Sequence, residues 1–501
     1  MKKRFAVICL LLAILAASVL VGCGDKTTTE PEPDTAETVQ TETEAETEAT
    51  WKTTLPDTDM GGWECRVLTI RNEGYAVTTY FMPEELTGEI VNDSIYTRNR
   101  DIEEKFHMTF SEYSRENFWE TTEDLKTYVL ADSDDYQLNM LIQRDAFAVS
   151  ADGMILPVEM LTHVQPEKPW YAQSVNDALQ LGKKQYVLYS AECLNMYEQA
   201  CLVLYNKSIW KQFSGMSEDA YDLVRSGKWT YDVLMRVAKA AAADLNGDGE
   251  IDDRDRYGIT SECDFLYPSL WVGADLDMIR VENGTPMLTV GQNEKLLGLL
   301  SDMSSRRADK GIIFDSFNDR CKAFDDSLQG EARRSLSRKI FESGAAAYFI
   351  HGVFDIQHIR EMEDDFGILP LPKYDEAQAQ YRSRIIDGWL NVVPMTNRNP
   401  ENTSLVLEAL AEESYRSVLP AYIEVALKDK YTRDPDSAEM LDLVFSTTTL
   451  ELGDTVWQGD VRNEYVNICV SGKDTFVSKT ASVQKKIDKI IAETMEKLGK
   501  R

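Results

Sequence analysis

The sequence predicts an α/β fold that is divided into two lobes. Strand-like and helix-like segments alternate along most of the 501 residues, which is the pattern of a parallel sheet covered by helices. About 450 residues remain after an N-terminal segment without globular character, and one hydrophobic core rarely serves a chain of that length. A second region begins near Leu202, so we expect a separate sheet in each lobe.

The N-terminus has the layout of an export signal. Basic residues at positions 2–4 precede an apolar run from Phe5 to Val21. The run ends at Leu-Val-Gly-Cys (20–23), which resembles the bacterial lipobox, where the signal is cut before a cysteine that then carries lipid. We therefore predict a lipoprotein signal peptide over 1–22 and a lipid anchor at Cys23, on the extracellular face of the cell membrane. A plain membrane anchor helix is the alternative, because ~17 apolar residues stand at the lower limit for crossing a bilayer.

Residues 23–50 combine this cysteine with a segment rich in threonine and glutamate. The stretch after Cys23 has almost no apolar side chains, so it has nothing from which to build a core. We predict a disordered acidic tether that holds the folded lobes off the membrane surface.

Composition limits the possible partners and metal sites. The formal net charge is −32, whereas binding to nucleic acid requires concentrated lysine and arginine, so no nucleic acid partner is expected. Two of the eight cysteines belong to the signal and the anchor, and the other six are widely spaced without a CxxC pair. They predict neither a metal cluster nor a disulfide scaffold. Pairing of Cys193 with Cys201 stays open.

The first lobe begins with alternating strands and helices. The pattern predicts strands over 63–71, 108–113 and 136–142, separated by helices over 90–106 and 117–131. This order implies a parallel sheet, and ligands bind beyond the carboxyl ends of the strands in such sheets. The loop that follows the third strand is therefore a candidate ligand loop. Its candidate contacts are Gln143, Arg144, Asp145 and Phe147.

Short motifs in the second region carry a family resemblance. In chain order they are YNK (205–207), KWT (228–230) with a helix after it, FESGAAAYF (341–349), FGILPLPK (366–373) and VVPMTNRNPE (392–401). Their order and spacing resemble family 1 extracellular solute-binding proteins, which are relatives of the maltose-binding protein. The resemblance covers essentially the whole body, from about Trp63 to the last helix.

The resemblance implies a two-lobe fold like that of periplasmic binding proteins, with a hinge and a ligand cleft between the lobes. Segments near 198–205 and 385–393 would cross from one lobe to the other. Lobe one would comprise 51–198 and 386–425, and lobe two 199–385 and 426–501.

The resemblance also implies a function without catalysis. We expect a monomeric protein that captures a small ligand, a sugar or oligosaccharide, by hinge closure and delivers it to the subunits of an ABC permease. A sensor or adhesin of the same fold that works without a permease is one alternative. A glycoside hydrolase is another, because 85 acidic residues supply many carboxylate pairs. Motifs of other enzymes are absent, and the four histidines are not in a metal-ligand spacing.

Candidate sugar contacts are aromatic and planar polar residues, which match the C–H faces and hydroxyls of a sugar ring. The Arg144-Asp145 pair is similar in place to an acidic-basic pair of the maltose-binding protein, in reversed order. Phe354 falls where the family commonly has a tryptophan that stacks on sugar. Other candidates are an aromatic pair and residues near the crossings: Trp170, Tyr171, Glu192, Tyr197, Glu198 and Trp389. The ordinary alternatives are core positions for the aromatic residues and a surface ion pair for Arg144 and Asp145.

The segment 244–255 matches a calcium-binding loop. Its oxygen-bearing residues stand at the positions that wrap a hard cation, and Gly249 permits the sharp turn. The predicted Ca²⁺ ligands are Asp244, Asn246, Asp248, Glu250 through its carbonyl, Asp252 and Asp255. Asp255 replaces the usual bidentate glutamate, so its shorter side chain would weaken affinity. We expect a structural ion away from the cleft; a solvated acidic turn is the alternative.

Overall fold

The computed structural model describes residues 55–71, 81–181, 184–252, 254–282, 284–319, 330–429 and 432–499. The predicted signal peptide, the tether and Cys23 lie outside these ranges. Among the helices within them, none combines the length and the apolar character that crossing a membrane requires.

The strands are β1 Trp63–Ile70, β2 Met108–Arg115, β3 Leu138–Ile142, β4 Cys201–Asn206, β5 Tyr257–Ser261, β6 Ile279–Glu282, β7 Thr285–Leu288, β8 Ile313–Asp315, β9 Ala346–Gly352, β10 Phe366–Leu369, β11 Ser383–Arg384, β12 Trp389–Val392 and β13 Thr448–Thr449.

The α-helices are α1 Ile90–Phe106, α2 Phe118–Leu130, α3 Gln143–Ala151, α4 Gln173–Ala178, α5 Asn195–Glu198, α6 Lys207–Phe213, α7 Ala220–Arg225, α8 Tyr231–Ala241, α9 Cys263–Gly273, α10 Glu294–Ala308, α11 Gly330–Glu342, α12 Pro400–Glu413, α13 Pro435–Ser446, α14 Leu452–Thr455, α15 Arg462–Ser471 and α16 Phe476–Gly499. Short 3₁₀ turns cover Val158–Met160, Val290–Gln292 and Val353–His358, and π-helical turns cover Ser414–Val418 and Ala421–Asp429.

The first sheet has the strand order β12-β3-β1-β2. β1 is parallel to both β2 and β3, as the alternation of strands and helices predicted, and β12 is antiparallel to β3. One local prediction is wrong: residues 143–147 are not a loop, because α3 begins at Gln143 directly after β3. Alanines at 146, 148 and 151, without glycine or proline between them, favour this helix.

The second sheet has the strand order β10-β4-β9-β5-β8. β5 is parallel to β8 and β9, and β4 is antiparallel to β9 and β10. Every residue of β9 is buried, so this strand runs through the centre of its core. A helix follows the KWT motif, as predicted, and Thr230 is the N-cap residue of this helix, α8.

Two chain segments run side by side between the sheets. Ala200 pairs with Ile385 in an isolated bridge, and the Ile386 amide donates to the Gln199 carbonyl at 3.2 Å. β11 also pairs with β13, which follows α13. The connection between the sheets is therefore several strands wide rather than a single linker.

The described cysteines are free thiols. They are Cys65, Cys193, Cys201, Cys263 and Cys469. The pairing of Cys193 with Cys201 that the sequence left open is therefore not formed.

Candidate functional site

A cleft of about 250 Å³ opens where the two sheets face each other. The side of the first sheet contributes Phe118, Ile142 and Trp389. The side of the second sheet contributes Asp264, Phe265, Arg334, Ser335, Arg338, His351, Phe354, Asp355 and His358. The crossing segments contribute Gln199, Ile386 and Asp387.

The position of the cleft follows from the strand directions. Ile142 ends β3, and His351 stands one residue before the end of β9. Phe118 and Phe265 open or nearly open the helices that follow β2 and β5. These residues therefore lie at the carboxyl ends of four strands, where open α/β sheets bind ligands.

Aromatic rings form the flat surfaces of the cleft. Trp389 packs with Ile70 and Ile142 in a small apolar cluster that is separate from the main core. On the opposite side, Phe354 meets Phe265 edge to face, with ring centroids 6.4 Å apart. Both sides thus present apolar faces that a sugar ring can cover.

A buried charge network stands directly beneath these rings. The His351 ring stacks on Phe265 with centroids 3.7 Å apart. Its Nε2 lies 2.6 Å from the Glu262 carboxylate, and its Nδ1 faces the Asp355 carboxylate in a close ion pair. Arg338 donates to the second Asp355 oxygen at 2.8 Å. The network therefore fixes the orientation of Phe265 from below.

The carboxylates of the network determine the charge of the imidazole. Burial by itself would lower the pKa of His351, but Asp355 and Glu262 outweigh burial and raise this pKa to about 9. Burial alone would raise the pKa of Asp355, but His351 and Arg338 outweigh burial and lower this pKa to about 2. At neutral pH the site therefore holds a protonated imidazole beside an ionised Asp355.

A second acidic group of the cleft is also held by cations. Arg334 lies 3.4 Å from the Asp264 carboxylate. Burial favours the neutral acid, but Arg334, Arg462 and Arg384 outweigh burial and lower the pKa of Asp264. Asp264 therefore stays ionised as a hydrogen-bond acceptor at the cleft.

The predicted residues of α3 support the cleft rather than line it. Arg144 donates to Asp387 at 2.8 Å and lies over the Phe118 ring at 4.9 Å, so it holds two residues that do line the cleft. Asp145 accepts from the Thr122 hydroxyl at 3.0 Å, and burial raises its pKa.

Gln143 and Phe147 are also placed away from the cavity. The Gln143 amide donates to the Ile386 carbonyl and accepts from the Tyr189 hydroxyl at 2.6 Å, which secures the crossing segment. Phe147 packs in the main core.

The predicted aromatic pair belongs to the core of the first lobe. Trp170 and Tyr171 are both buried and both donate to Glu408, at 3.0 and 2.6 Å. Tyr197 packs edge to face on Phe445. None of the three lines the cleft: hydrogen bonds to Glu408 hold Trp170 and Tyr171 in the interior, and Tyr197 is half-buried against Phe445.

Of the remaining predicted contacts, two line the cleft and two lie elsewhere. Phe354 and Trp389 are cleft residues. Glu192 accepts from Asn391 at 2.9 and 3.1 Å and lines a neighbouring pocket, and burial raises its pKa. Glu198 is buried next to the crossing segment, with 2% of its surface exposed.

Several cleft residues were not singled out from the sequence. They are Phe118, Asp264, Phe265, Arg334, Arg338, His351 and Asp387. A signal existed for Phe118 and Phe265, because each follows the carboxyl end of a strand. No comparable signal marks Arg334 and Arg338, which reach the cleft from α11.

The acidic loop 244–255 is organised by its own hydrogen bonds. The Asp244 carboxylate accepts from the amides of Gly247 and Gly249 at 2.6 and 2.9 Å, and Gly249 has a φ of 79°. The Arg254 guanidinium bridges Asp248 and Asp252, at 3.0 and 2.6 Å.

Two of the three remaining predicted calcium ligands, Asp255 and Asn246, also accept hydrogen bonds within this loop. Asp255 is fully buried and accepts from the amides of Leu245 and Asp252 at 2.9 Å each. Asn246 accepts from the Asp248 amide at 2.8 Å. Within the described residues, no three acidic, histidine or cysteine side chains converge as a metal site. The donor set nevertheless consists only of oxygens, as Ca²⁺ requires.

Comparison with known proteins identifies the fold. No family model and no curated protein sequence matches the chain. The sugar-binding protein MalE from Xanthomonas citri matches with a TM-score of 0.59 and 13% identity, over 86% of this chain and 98% of that protein.

Two further solved structures give the same result. A cyclo/maltodextrin-binding protein complexed with maltotetraose has a TM-score of 0.55 and 14% identity, over 85% of this chain and 97% of that one. An ABC substrate-binding protein from Listeria monocytogenes in complex with cycloalternan has a TM-score of 0.55 and 12% identity, over 86% and 99%. The predicted two-lobe α/β fold of family 1 solute-binding proteins is thus confirmed.

Proposed function

We propose that this protein binds an oligosaccharide in the cleft, closes around it by a hinge motion and presents it to an ABC permease. The main observation that supports this proposal is the cleft itself. Both sheets contribute aromatic and polar side chains to it, and two crossing segments lie between the sheets. The sugar ligands of the structurally similar proteins support the choice of a carbohydrate.

The chemistry of the cleft favours a neutral, hydroxyl-rich ligand. Phe118, Trp389 and Phe354 offer apolar faces, and carboxylates and guanidinium groups stand between them. Because Asp355 is paired with Arg338 and Asp264 with Arg334, the described residues of the cleft leave no large excess of either charge to attract an ion. Planar charged groups of this kind form strong hydrogen bonds to sugar hydroxyls.

Hinge closure follows from the division of contacts between the lobes. A ligand that touches both Trp389 and Phe354 interacts fully only when the two lobes approach each other. It therefore binds the closed form more tightly and shifts the population toward that form. The closed, loaded form is the one that a permease would recognise.

The cleft carboxylates are arranged for binding rather than for glycoside hydrolysis. A hydrolase requires one carboxylic acid with a raised pKa to protonate the leaving group. Two of the three cleft carboxylates, Asp264 and Asp355, have lowered pKa values because cations surround them, and the third, Asp387, accepts a hydrogen bond from Arg144 at 2.8 Å. We therefore propose a binding protein without catalysis.

A ligand screen tests the proposal. Maltotetraose and a panel of other oligosaccharides are added to the purified mature protein, and the melting temperature and the sugar products are measured. A ligand at a hundred times its Kd stabilises the folded state by about 2.7 kcal/mol, which is readily detected. Absence of any shift across the panel contradicts a carbohydrate ligand, and appearance of shorter sugars identifies an enzyme.

Truncating Phe354 should weaken the binding of the sugar that the screen identifies. The change Phe354→Ala removes one aromatic face, and loss of a stacking contact worth about 1.4 kcal/mol corresponds to about a tenfold loss of affinity. Calorimetric titration measures the affinity, and a melting curve of the free protein measures stability.

Trp170→Ala is the matched control for this variant. Trp170 is a buried aromatic residue that bonds Glu408 and lies outside the cleft, so its loss should lower the melting temperature and leave affinity unchanged. Unchanged affinity in Phe354→Ala, or weakened binding only in Trp170→Ala, would move the binding site elsewhere.

We also propose that Cys23 anchors the mature protein to the outer face of the cell membrane. The basic residues, apolar run and small residues that precede Cys23 support this proposal. Cells that express the protein should incorporate labelled palmitate into it, and Cys23→Ala should abolish the label and leave unprocessed precursor. Labelling that persists in the variant would show that the anchor lies at another residue.

A third proposal is that loop 244–255 binds Ca²⁺ as a structural ion. Its oxygen-bearing side chains support the proposal, and an ion would have to displace Arg254 from Asp248 and Asp252. Chelator should lower the melting temperature of calcium-loaded protein, and added calcium should restore it, with a stabilisation of about 2.7 kcal/mol at a hundred times Kd.

The double variant Asp244→Ala/Asp248→Ala is the control for this ion, because it removes two of the proposed ligands. Its melting temperature should not respond to chelator or calcium. If the unsubstituted protein melts identically with and without chelator, the loop is a hydrogen-bonded turn that needs no ion.

A further inference from the structure

A second, smaller cavity of about 40 Å³ shares Trp389 with the cleft. We call it the lobe-one pocket, and it lies between α1, the segment before α5 and the first sheet. The lining residues with charged or amide side chains are Arg98, Glu192, Asn195 and Asn391. Glu192 and Trp389 are predicted ligand contacts, but the hydrogen-bonding groups of Asn195 and Asn391 have no predicted or proposed role.

Two buried amide side chains of the pocket each lack one hydrogen-bond partner. Asn195 Oδ1 accepts from the Trp389 amide at 3.0 Å, and this donor fixes the amide orientation and leaves Nδ2 without a partner. Asn391 Nδ2 donates to both Glu192 oxygens, which leaves Asn391 Oδ1 without a partner. Asn195 and Asn391 are only 4% and 8% exposed, so solvent outside the pocket does not satisfy them.

The charged groups around the pocket balance each other. Arg98 is 4% exposed and donates to Asn99 and Ser414, both neutral acceptors. No carboxylate of the described residues forms an ion pair with Arg98, although the Glu192 carboxylate lines the same pocket. One positive and one negative group therefore face the space, which favours an uncharged occupant.

The missing partners define the chemistry of that occupant. Asn195 Nδ2 requires an acceptor, and Asn391 Oδ1 requires a donor. A hydroxyl group is both an acceptor and a donor, so its chemistry suits both atoms, whereas an inorganic cation or anion suits only one of them. The volume holds about three water molecules and is too small for a sugar ring.

We propose that the lobe-one pocket is a hydroxyl-binding subsite beside Trp389, in which Asn195 donates to and Asn391 accepts from the occupant. Two sources supply this chemistry: ordered water, and a hydroxyl arm of the ligand that enters from the cleft. The second source rests on the proposed carbohydrate function, and the first does not. In either case the occupant accepts from Asn195 Nδ2, and Asn195 is the side chain that accepts from the backbone amide of Trp389.

A crystal structure of the mature protein without ligand tests the subsite. We expect an ordered oxygen within about 3.2 Å of both Asn195 Nδ2 and Asn391 Oδ1. A dry pocket, or one that a protein side chain fills, overturns the proposal. This result does not depend on whether the protein binds a sugar.

A second crystal structure, grown with maltotetraose, distinguishes the two sources. A sugar hydroxyl in place of the pocket oxygen identifies the ligand arm, and Asn391→Leu should then weaken maltotetraose binding about tenfold. Sugar in the cleft with an unchanged pocket oxygen identifies water as the occupant. An empty cleft, together with a negative ligand screen, contradicts the proposed function and leaves water as the source.

Discussion

Replacing His351 with glutamine should lower the free energy of unfolding by roughly 3–5 kcal/mol. The protonated ring stands between Glu262 and Asp355, and all three side chains are almost completely buried. Glutamine removes the positive charge, so two carboxylates remain in the interior with Arg338 as the single cation paired with Asp355. Unfolding in denaturant measures the loss.

The pH dependence of this loss gives the prediction a second readout. The pKa of His351 rises from 6.5 to about 9 on folding, so its stabilisation is complete below about pH 6.5 and disappears as the pH rises through about 9. The pKa of Asp355 falls from 3.8 to about 2, so its stabilisation is complete above pH 3.8 and disappears as the pH falls through about 2. His351→Gln should therefore differ from the unsubstituted protein at about pH 6 and converge with it near pH 10.

His163 supplies the control for this experiment. It also contacts a carboxylate, Glu401, at 2.6 Å, but the glutamate side chain is 67% exposed. Exposed pairs contribute little, so His163→Gln should leave unfolding nearly unchanged. Equal effects of the two variants, or a His351→Gln loss that persists at high pH, would show that the network does not work through charge.

Replacing Arg384 with methionine should also cost roughly 3–5 kcal/mol of stability. Arg384 is fully buried in β11, donates to both oxygens of Asp454 at 2.5 and 2.8 Å, and donates to the Asp264 carbonyl at 3.0 Å. After the change, Asp454 keeps Arg462 at 3.5 Å and loses its bidentate partner. Lysine should not restore the stability, because its ammonium cannot match the two carboxylate oxygens.

Two further variants separate charge from packing at this position. Arg384→Met/Asp454→Leu leaves no unpaired carboxylate, so it should recover part of the lost stability. Arg225→Met removes an arginine that pairs with Asp436 and Glu439 on the surface, and it should change little. If the double variant is no more stable than Arg384→Met, the loss arises from packing.

The Arg384 variant should also affect ligand binding. Arg384 connects the β11 crossing segment to the backbone of Asp264, whose side chain lines the cleft. Loss of this connection should let Asp264 shift, and a small misplacement of a binding group weakens affinity. Calorimetric titration beside the unfolding curve separates this effect from the loss of stability.

The sequence by itself determined the first five elements of the first lobe and the edge of the sheet at which the cleft lies. Apolar periodicity predicted β1, α1, β2, α2 and β3, because alternation and helical spacing depend only on neighbouring residues. The strand-end rule indicated the correct edge of the sheet, since Ile142 ends β3 and Phe118 follows β2, but none of the predicted contacts in 143–147 lines the cleft. The order of short motifs predicted the two-lobe fold.

The tertiary structure decided which side chains form the cleft. The sequence predicted Trp170 as a ligand contact, but a hydrogen bond to Glu408, more than two hundred residues away in the chain, holds it in the core. Arg144 looked like a sugar contact, yet it donates to Asp387 and supports the wall instead. Arg338, His351 and Asp355 meet only because α11, β9 and the following turn pack together. Such contacts join residues that are far apart in the chain, so local sequence patterns cannot predict them.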